Sequence, residues 1–289
     1  MWRDDAAVTF ALPPRPVIGI LHPGVMGASV GSALKPVAGA VIWAAAGRSV
    51  TTSKRAEIAD LVGVPDLAEL ARRADVVISV CPPDAARDVA EQVAAAAGDR
   101  RPLYVDANAV SPATVAGIGE LFGADRTVDG AIIGPPAWEP GHTVLWLAGE
   151  QAPVVAALFA GSPFTARVLD GGIGAASGLK ACFAAQSKAL PTIWLAIAEA
   201  ARAYGVEDAL REELARDGTD LVAKLEQLDT RAAAKAWRWV GEMEEAGDAF
   251  AAVGLPDGFS RAAAQMYQRM ADGDPIDRAN IWGLRGGAV

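Results

Sequence analysis

Short apolar runs alternate with helical stretches over the first half of the chain. Val17–Leu21, 40–43, 75–80, Leu103–Asp106, Thr127–Ile133 and 143–147 are rich in Val, Ile and Leu and predict six strands. Residues 28–34, 55–61 and Leu67–Arg73 predict helices between them. Cys81-Pro82-Pro83 stops the third strand, and Gly134-Pro135-Pro136 joins the last two. After Gly171-Gly172 strand signals vanish, and Ala, Leu and Glu dominate. Residues 175–203 read as one long helix that Pro191 kinks or splits. Helices at Glu207–Arg216, 220–228, 230–246 and 260–270 follow, with a loop at 254–258. The boundary falls near Asp170, giving an α/β domain over 1–170 and a helical domain over 171–289.

The first strand runs into His22-Pro23-Gly24-Val25-Met26-Gly27 and then a small-residue helix. Strand, glycine turn, helix is how a Rossmann-type, doubly wound parallel sheet builds a pyrophosphate site. The expected fold class is therefore α/β, a Rossmann-type doubly wound parallel sheet followed by an all-α C-terminal domain. Three glycines make the strict fingerprint, and His22 stands at the first position here, leaving Gly24 and Gly27. The second strand continues as Trp43-Ala44-Ala45-Ala46-Gly47-Arg48-Ser49, without the acid that binds ribose hydroxyls in NAD sites. Arg48 and Ser49 suit a 2′-phosphate instead, so NADP is the expected cofactor, with NAD possible. Cys81, Pro82 and Pro83 lie at a strand's carboxyl end, where ligands bind in such sheets. Lys180 lies near the start of the long helix among Ala176, Leu179 and Phe183, where poor hydration favours acid–base work. At 100° per residue its face also holds Ser177, Ala184 and Ser187, with Lys188 at the edge.

Composition narrows the picture. The chain has 289 residues, is 52% hydrophobic and carries a net charge of −9, with no basic patch for a nucleic acid. The two cysteines, Cys81 and Cys182, and the two histidines, His22 and His142, form no metal motif, and both cysteines read as reduced core thiols. The N-terminus lacks a signal-peptide pattern, and no apolar run reaches the ~20 residues of a membrane span, so a cytoplasmic location and no membrane partner are expected.

From Val17 onward the chain resembles the β-hydroxyacid dehydrogenases, the superfamily of 3-hydroxyisobutyrate and 6-phosphogluconate dehydrogenases. Leu21–Gly27, Val105-Asp106-Ala107-Asn108-Ala109, Lys235-Ala236-Trp237-Arg238-Trp239 and Gly254-Leu255-Pro256 resemble an actinobacterial branch with its own helical C-terminal domain. The resemblance implies a phosphate turn at Gly24, Val25, Met26 and Gly27, and a cofactor clamp at Gly47-Arg48-Ser49. It implies a cofactor and substrate contact at Asn108, within Asp106-Ala107-Asn108-Ala109-Val110-Ser111-Pro112, where a serine usually stands. Ile133, Gly134 and Pro135 replace the family's Ser-Gly-Gly substrate loop. Lys180 falls on the catalytic lysine, while the family's asparagine one turn later is Ala184, leaving Ser187 to supply a polar group. Ser177 and Trp239 join Ala184 as implied substrate contacts. The expected activity is hydride transfer between NADP and a small hydroxyacid or carbonyl compound. Imine or ketone reduction is the alternative, and a non-catalytic NADP-binding sensor the second. The family's pockets borrow residues from a second subunit, and the long helix exposes more apolar face than one small domain covers, so a homodimer is expected.

Overall fold

A computed structural model describes residues 11–232 and 235–273. The chain divides into two compact units, one of Met1–Asn108 with Pro112–Ser177 and one of Ala109–Ser111 with Gly178–Val289.

The first unit holds eight strands: β1 Val17–Leu21, β2 Ala40–Ala44, β3 Val62–Val64, β4 Val76–Ser79, β5 Leu103–Asp106, β6 Thr127–Ile133, β7 Thr143–Ala148 and β8 Phe164–Val168. Their order in the sheet is β3-β2-β1-β4-β5-β6-β7-β8. The chain starts in the middle, builds outward to β3, and then crosses to β4, so the order of strand addition reverses between β1 and β4. Crevices for ligands open at such a point, beyond the carboxyl ends of the strands. β1 to β6 pair in parallel, and Ile18, Ile20, Ile42, Val76, Val77, Ile78 and Val105 are buried, as strands covered on both faces require. Helices α1 Val25–Leu34, α2 Val50–Ile58, α3 Leu67–Arg73, α4 Pro83–Ala97, α5 Pro112–Phe122 and α6 Ala152–Leu158 make the connections.

Three features depart from the expected pattern. β7 runs antiparallel to β6, because the link over residues 134–142 is too short for a crossover. α2 begins at Val50 rather than at residue 55, because Ser49 caps it by accepting from the Thr52 N–H at 3.2 Å. β3 and β8 lie outside the six expected strands. Both are short or half-exposed sheet-edge strands with little hydrophobic signal.

The remaining helices are α7 Ala175–Ala184, α8 Leu190–Ala203, α9 Glu207–Arg216, α10 Leu221–Ala232, α11 Ala236–Ala252 and α12 Gly258–Ala271. α7 opens at the end of the first unit and continues into the second. The expected long helix is interrupted by a π-helical turn over Ala185–Ala189, with Pro191 in the first turn of α8. Proline offers no N–H to the preceding turn, and widening that turn is one way a helix accommodates it. The expected helix over 230–246 is divided instead, between α10 and α11. Leu195, Leu225, Leu228, Trp239, Met243 and Tyr267 form the core of this unit. Among the described residues no helix is long and apolar enough to cross a membrane.

Candidate functional site

The turn after β1 carries the clearest site geometry. Gly24 precedes α1 with no side-chain cap, and the first turn of that helix holds no acid. The leading N–H groups, those of Val25, Met26 and Gly27, therefore face outward with the positive end of the helix dipole. A Cβ on Gly27 would lie 2.4 Å from the His22 carbonyl oxygen, so only glycine closes this turn. His22 itself is left-handed, with φ of 61°, the conformation glycine supplies in the usual fingerprint. Burial, and then the Arg48 charge, push the His22 imidazole down to about 4. Its Nδ1 and the Nε of Arg48 are buried without a hydrogen-bond partner. The guanidinium with its unpaired Nε, beside an uncapped helix N-terminus, fits an anion. Ser49, beside Arg48, is occupied as the cap of α2.

At the ends of β4 and β5 the side chain of Asn108 is spent internally. Its Oδ1 accepts from the Cys81 N–H at 2.6 Å, and its Nδ2 donates to Ser79 Oγ at 2.9 Å and Asp106 Oδ2 at 2.8 Å. Both amide hydrogens are committed, so the geometry of Asn108 is that of a clamp setting the Cys81-Pro82-Pro83 strand end, rather than of a substrate contact. Burial pushes the Cys81 thiol up to about 11, which keeps it protonated. Cys182, expected in the core, is exposed, because it lies off the face by which α7 packs, where Ala181 and Ala184 are buried.

Ile133 ends β6, and Gly134 and Pro135 follow at its carboxyl end. Gly134 has φ of 134°, and a Cβ there would meet the His142 carbonyl oxygen at 2.4 Å. The Pro135 carbonyl accepts from Thr143 Oγ1 at 2.5 Å. Ser177 is likewise occupied. Asp129 on β6 accepts from its hydroxyl at 2.7 Å and from the N–H groups of Gly174, Ala176 and Ser177 at 2.8, 2.9 and 3.0 Å. Burial raises the Asp129 carboxyl, and these donors act in the opposite sense. Ser177 thus anchors the start of α7.

In the helical unit, burial, and then the Arg238 charge, hold the Lys180 amine down to about 8. Ala184 is packed in the core of this unit, so no polar side chain takes the position one turn on. The π turn resets the register of the residues beyond Ala184. Ser187 donates to the Phe183 carbonyl at 2.8 Å and lines a cavity together with Trp239. Lys188 instead contacts the buried Glu242, which Arg238 also reaches at 3.1 Å. The Lys188 amine lies 5.4 Å from the centre of the Trp239 ring, and its carbonyl accepts from Tyr267 Oη at 2.8 Å. Burial pushes the Lys188 amine well below its usual range, and the charges of Lys180, Arg238, Arg231 and Lys235 push the same way. The lysine cluster with Glu242 is hidden in the sequence, because a π turn breaks the 100° count and nothing in the residue types announces Glu242. Among the described residues no group of three or more His, Cys, Asp or Glu is placed to hold a metal.

Comparisons with known proteins agree with this architecture. Residues 201–270 match the family described as Domain of unknown function (DUF1932). No curated protein matches the chain. A conserved protein of unknown function, described as structurally similar to 3-hydroxyacid dehydrogenases, shares 23% identity over 89% of this chain and 97% of its own, with a TM-score of 0.63. The Mycobacterium tuberculosis 3-hydroxyisobutyrate dehydrogenase, solved with L-serine, shares 19% over 94% and 99%, at 0.65. The Aspergillus terreus reductive aminase, solved with NADPH and ethyl levulinate, shares 16% over 90% and 95%, at 0.52. The chain has the fold of the 3-hydroxyacid dehydrogenases, and within its helical unit it carries a DUF1932 segment.

Proposed function

We propose that this chain is an NADP-dependent oxidoreductase acting on a small hydroxyacid or carbonyl compound. The reading rests on the corner formed by the uncapped α1, His22 and Arg48, whose buried nitrogens lack partners. The α1 N-terminus, with Gly24 and Gly27, would take the pyrophosphate, and Arg48 the 2′-phosphate. Bound there, the nicotinamide supplies or accepts the hydride. Lys180 handles the proton: in reduction its ammonium protonates the carbonyl oxygen as the carbon gains the hydride, and in oxidation the neutral amine takes the hydroxyl proton. An amine held near 8 is available in both forms around neutrality. The structural likeness to a hydroxyacid dehydrogenase and to a reductase solved with NADPH supports this reading. Imine reduction is the second reading, favoured by the apolar Ile133-Gly134-Pro135 edge and by the reductive aminase likeness. The working unit is a cytoplasmic homodimer.

Calorimetric titration with NADPH and NADH tests the cofactor assignment. NADPH is expected to bind more tightly, and Arg48→Ala to remove about 1.5–3 kcal/mol of that preference. Equal affinities in the wild type would refute it. Following NADPH absorbance against hydroxyacid, ketone and imine panels then separates the two enzymatic readings.

A further inference from the structure

In the helical unit the π-turn helix, α10 and α11 line an open cavity of about 340 Å3. Its walls mix polar side chains with the aromatic rings of Trp194 from α8 and Trp239 from α11. The π turn brings Gln186 and Ser187 to it while directing Lys188 to Glu242. Such turns are frequent at functional sites. Lys224 and Arg231 line the same cavity from one face of α10, two turns or roughly 10 Å apart. Among the described residues no acidic side chain lines it. Among those residues, too, neither Lys224 nor Arg231 makes a side-chain hydrogen bond or ion pair, although the chain as a whole carries −9. The Lys188 amine stands over the Trp239 ring in contact with Glu242, and the charges of Lys180, Lys235 and Arg238 act on it. A concave site with aromatic walls, the exposed cations Lys224 and Arg231 and no acid in its lining concentrates anions.

We propose that this cavity binds a small organic carboxylate with a flat apolar body. Arg231 takes the carboxylate through its fork of N–H donors, Lys224 adds a second positive charge, and the body lies against Trp194 and Trp239. The volume suits a compound of one or two rings. This does not rest on the oxidoreductase reading, since the residues involved belong to the helical unit and need no cofactor.

Calorimetric titration of the full chain with 2-naphthoate, 2-naphthamide and inorganic phosphate tests it. The acid is expected to bind saturably, at least tenfold more tightly than either the neutral amide or phosphate, and more weakly as salt is raised. Arg231→Gln should weaken it tenfold or more, and Lys224→Gln severalfold, with unchanged thermal melting showing that the variants fold. Equal affinity for acid and amide, equal affinity for phosphate, unchanged binding in folded Arg231→Gln, or no saturable binding would each overturn the proposal. These outcomes are read without turnover, so they are separate from failure of NADPH binding.

Discussion

His22 occupies a glycine's place, and its φ of 61° and its buried, unpartnered Nδ1 follow from that place. In the unfolded chain it takes up a proton near 6.5, but in the folded chain only near 4. The unfolded state therefore binds more protons between those values, and stability falls as the pH drops from 6.5 towards 4. His22→Asn keeps a side chain that tolerates positive φ and removes the titration. Urea midpoints at pH 7 and pH 5 should differ less in the variant than in the wild type. Lys180 gives the second titration, near 8. In the proposed role reduction uses its ammonium, so that rate should fall as pH rises through 8, while oxidation uses the neutral amine and should rise. Lys180→Met is expected to lower turnover roughly a hundredfold and erase both limbs while leaving NADPH affinity nearly intact. Rates that keep the same pH limb in the variant would move the role elsewhere. Residue type makes Gly24, Gly27, Arg48 and Lys180 candidates. It could not show that Asn108 and Ser177 are consumed by Asp106 and Asp129, because a sequence records donors and acceptors but not which of them meet.

Strands with continuous Val and Ile, such as β1 and β4, were legible because burial on both faces leaves no polar positions. β3 and β8 were not, since an edge strand needs only partial burial. The π turn was foreshadowed by Pro191 but not located, because local propensity does not say where a helix absorbs a missing N–H. The junction of β6 with α7 is set by one carboxylate. Asp129 collects three N–H groups and one hydroxyl in a buried setting, so removing it leaves those donors without an acceptor. Asp129→Ala should cost roughly 3 kcal/mol or more, read from urea denaturation. A loss below about 1 kcal/mol would mean that water replaces the carboxylate and that the start of α7 is held by packing alone.

At the scale of the whole molecule, alternating strands give way to alanine-rich helices along the sequence, and the chain folds as two compact units. The assembly they form depends on what the helical unit leaves uncovered. Phe259 is 73% exposed and Ile193 42%, and both line an apolar cavity of about 250 Å3 with Pro256 and Met266. Leu255 and Val253 are exposed in the same stretch of chain. Large apolar side chains clustered around a concave apolar surface are costly in water, and burying one phenylalanine contributes about 1.5–3 kcal/mol. A second copy meeting this patch about a two-fold axis covers both at once, because each chain then offers the same surface and receives it. Light scattering at micromolar concentration should therefore give twice the chain mass. Phe259→Glu places two carboxylates at a self-complementary contact and should shift the protein to monomers, with circular dichroism showing the helices retained. A wild type that stays monomeric at tens of micromolar would show that this patch serves no second copy, and that each chain supplies every residue of its own site.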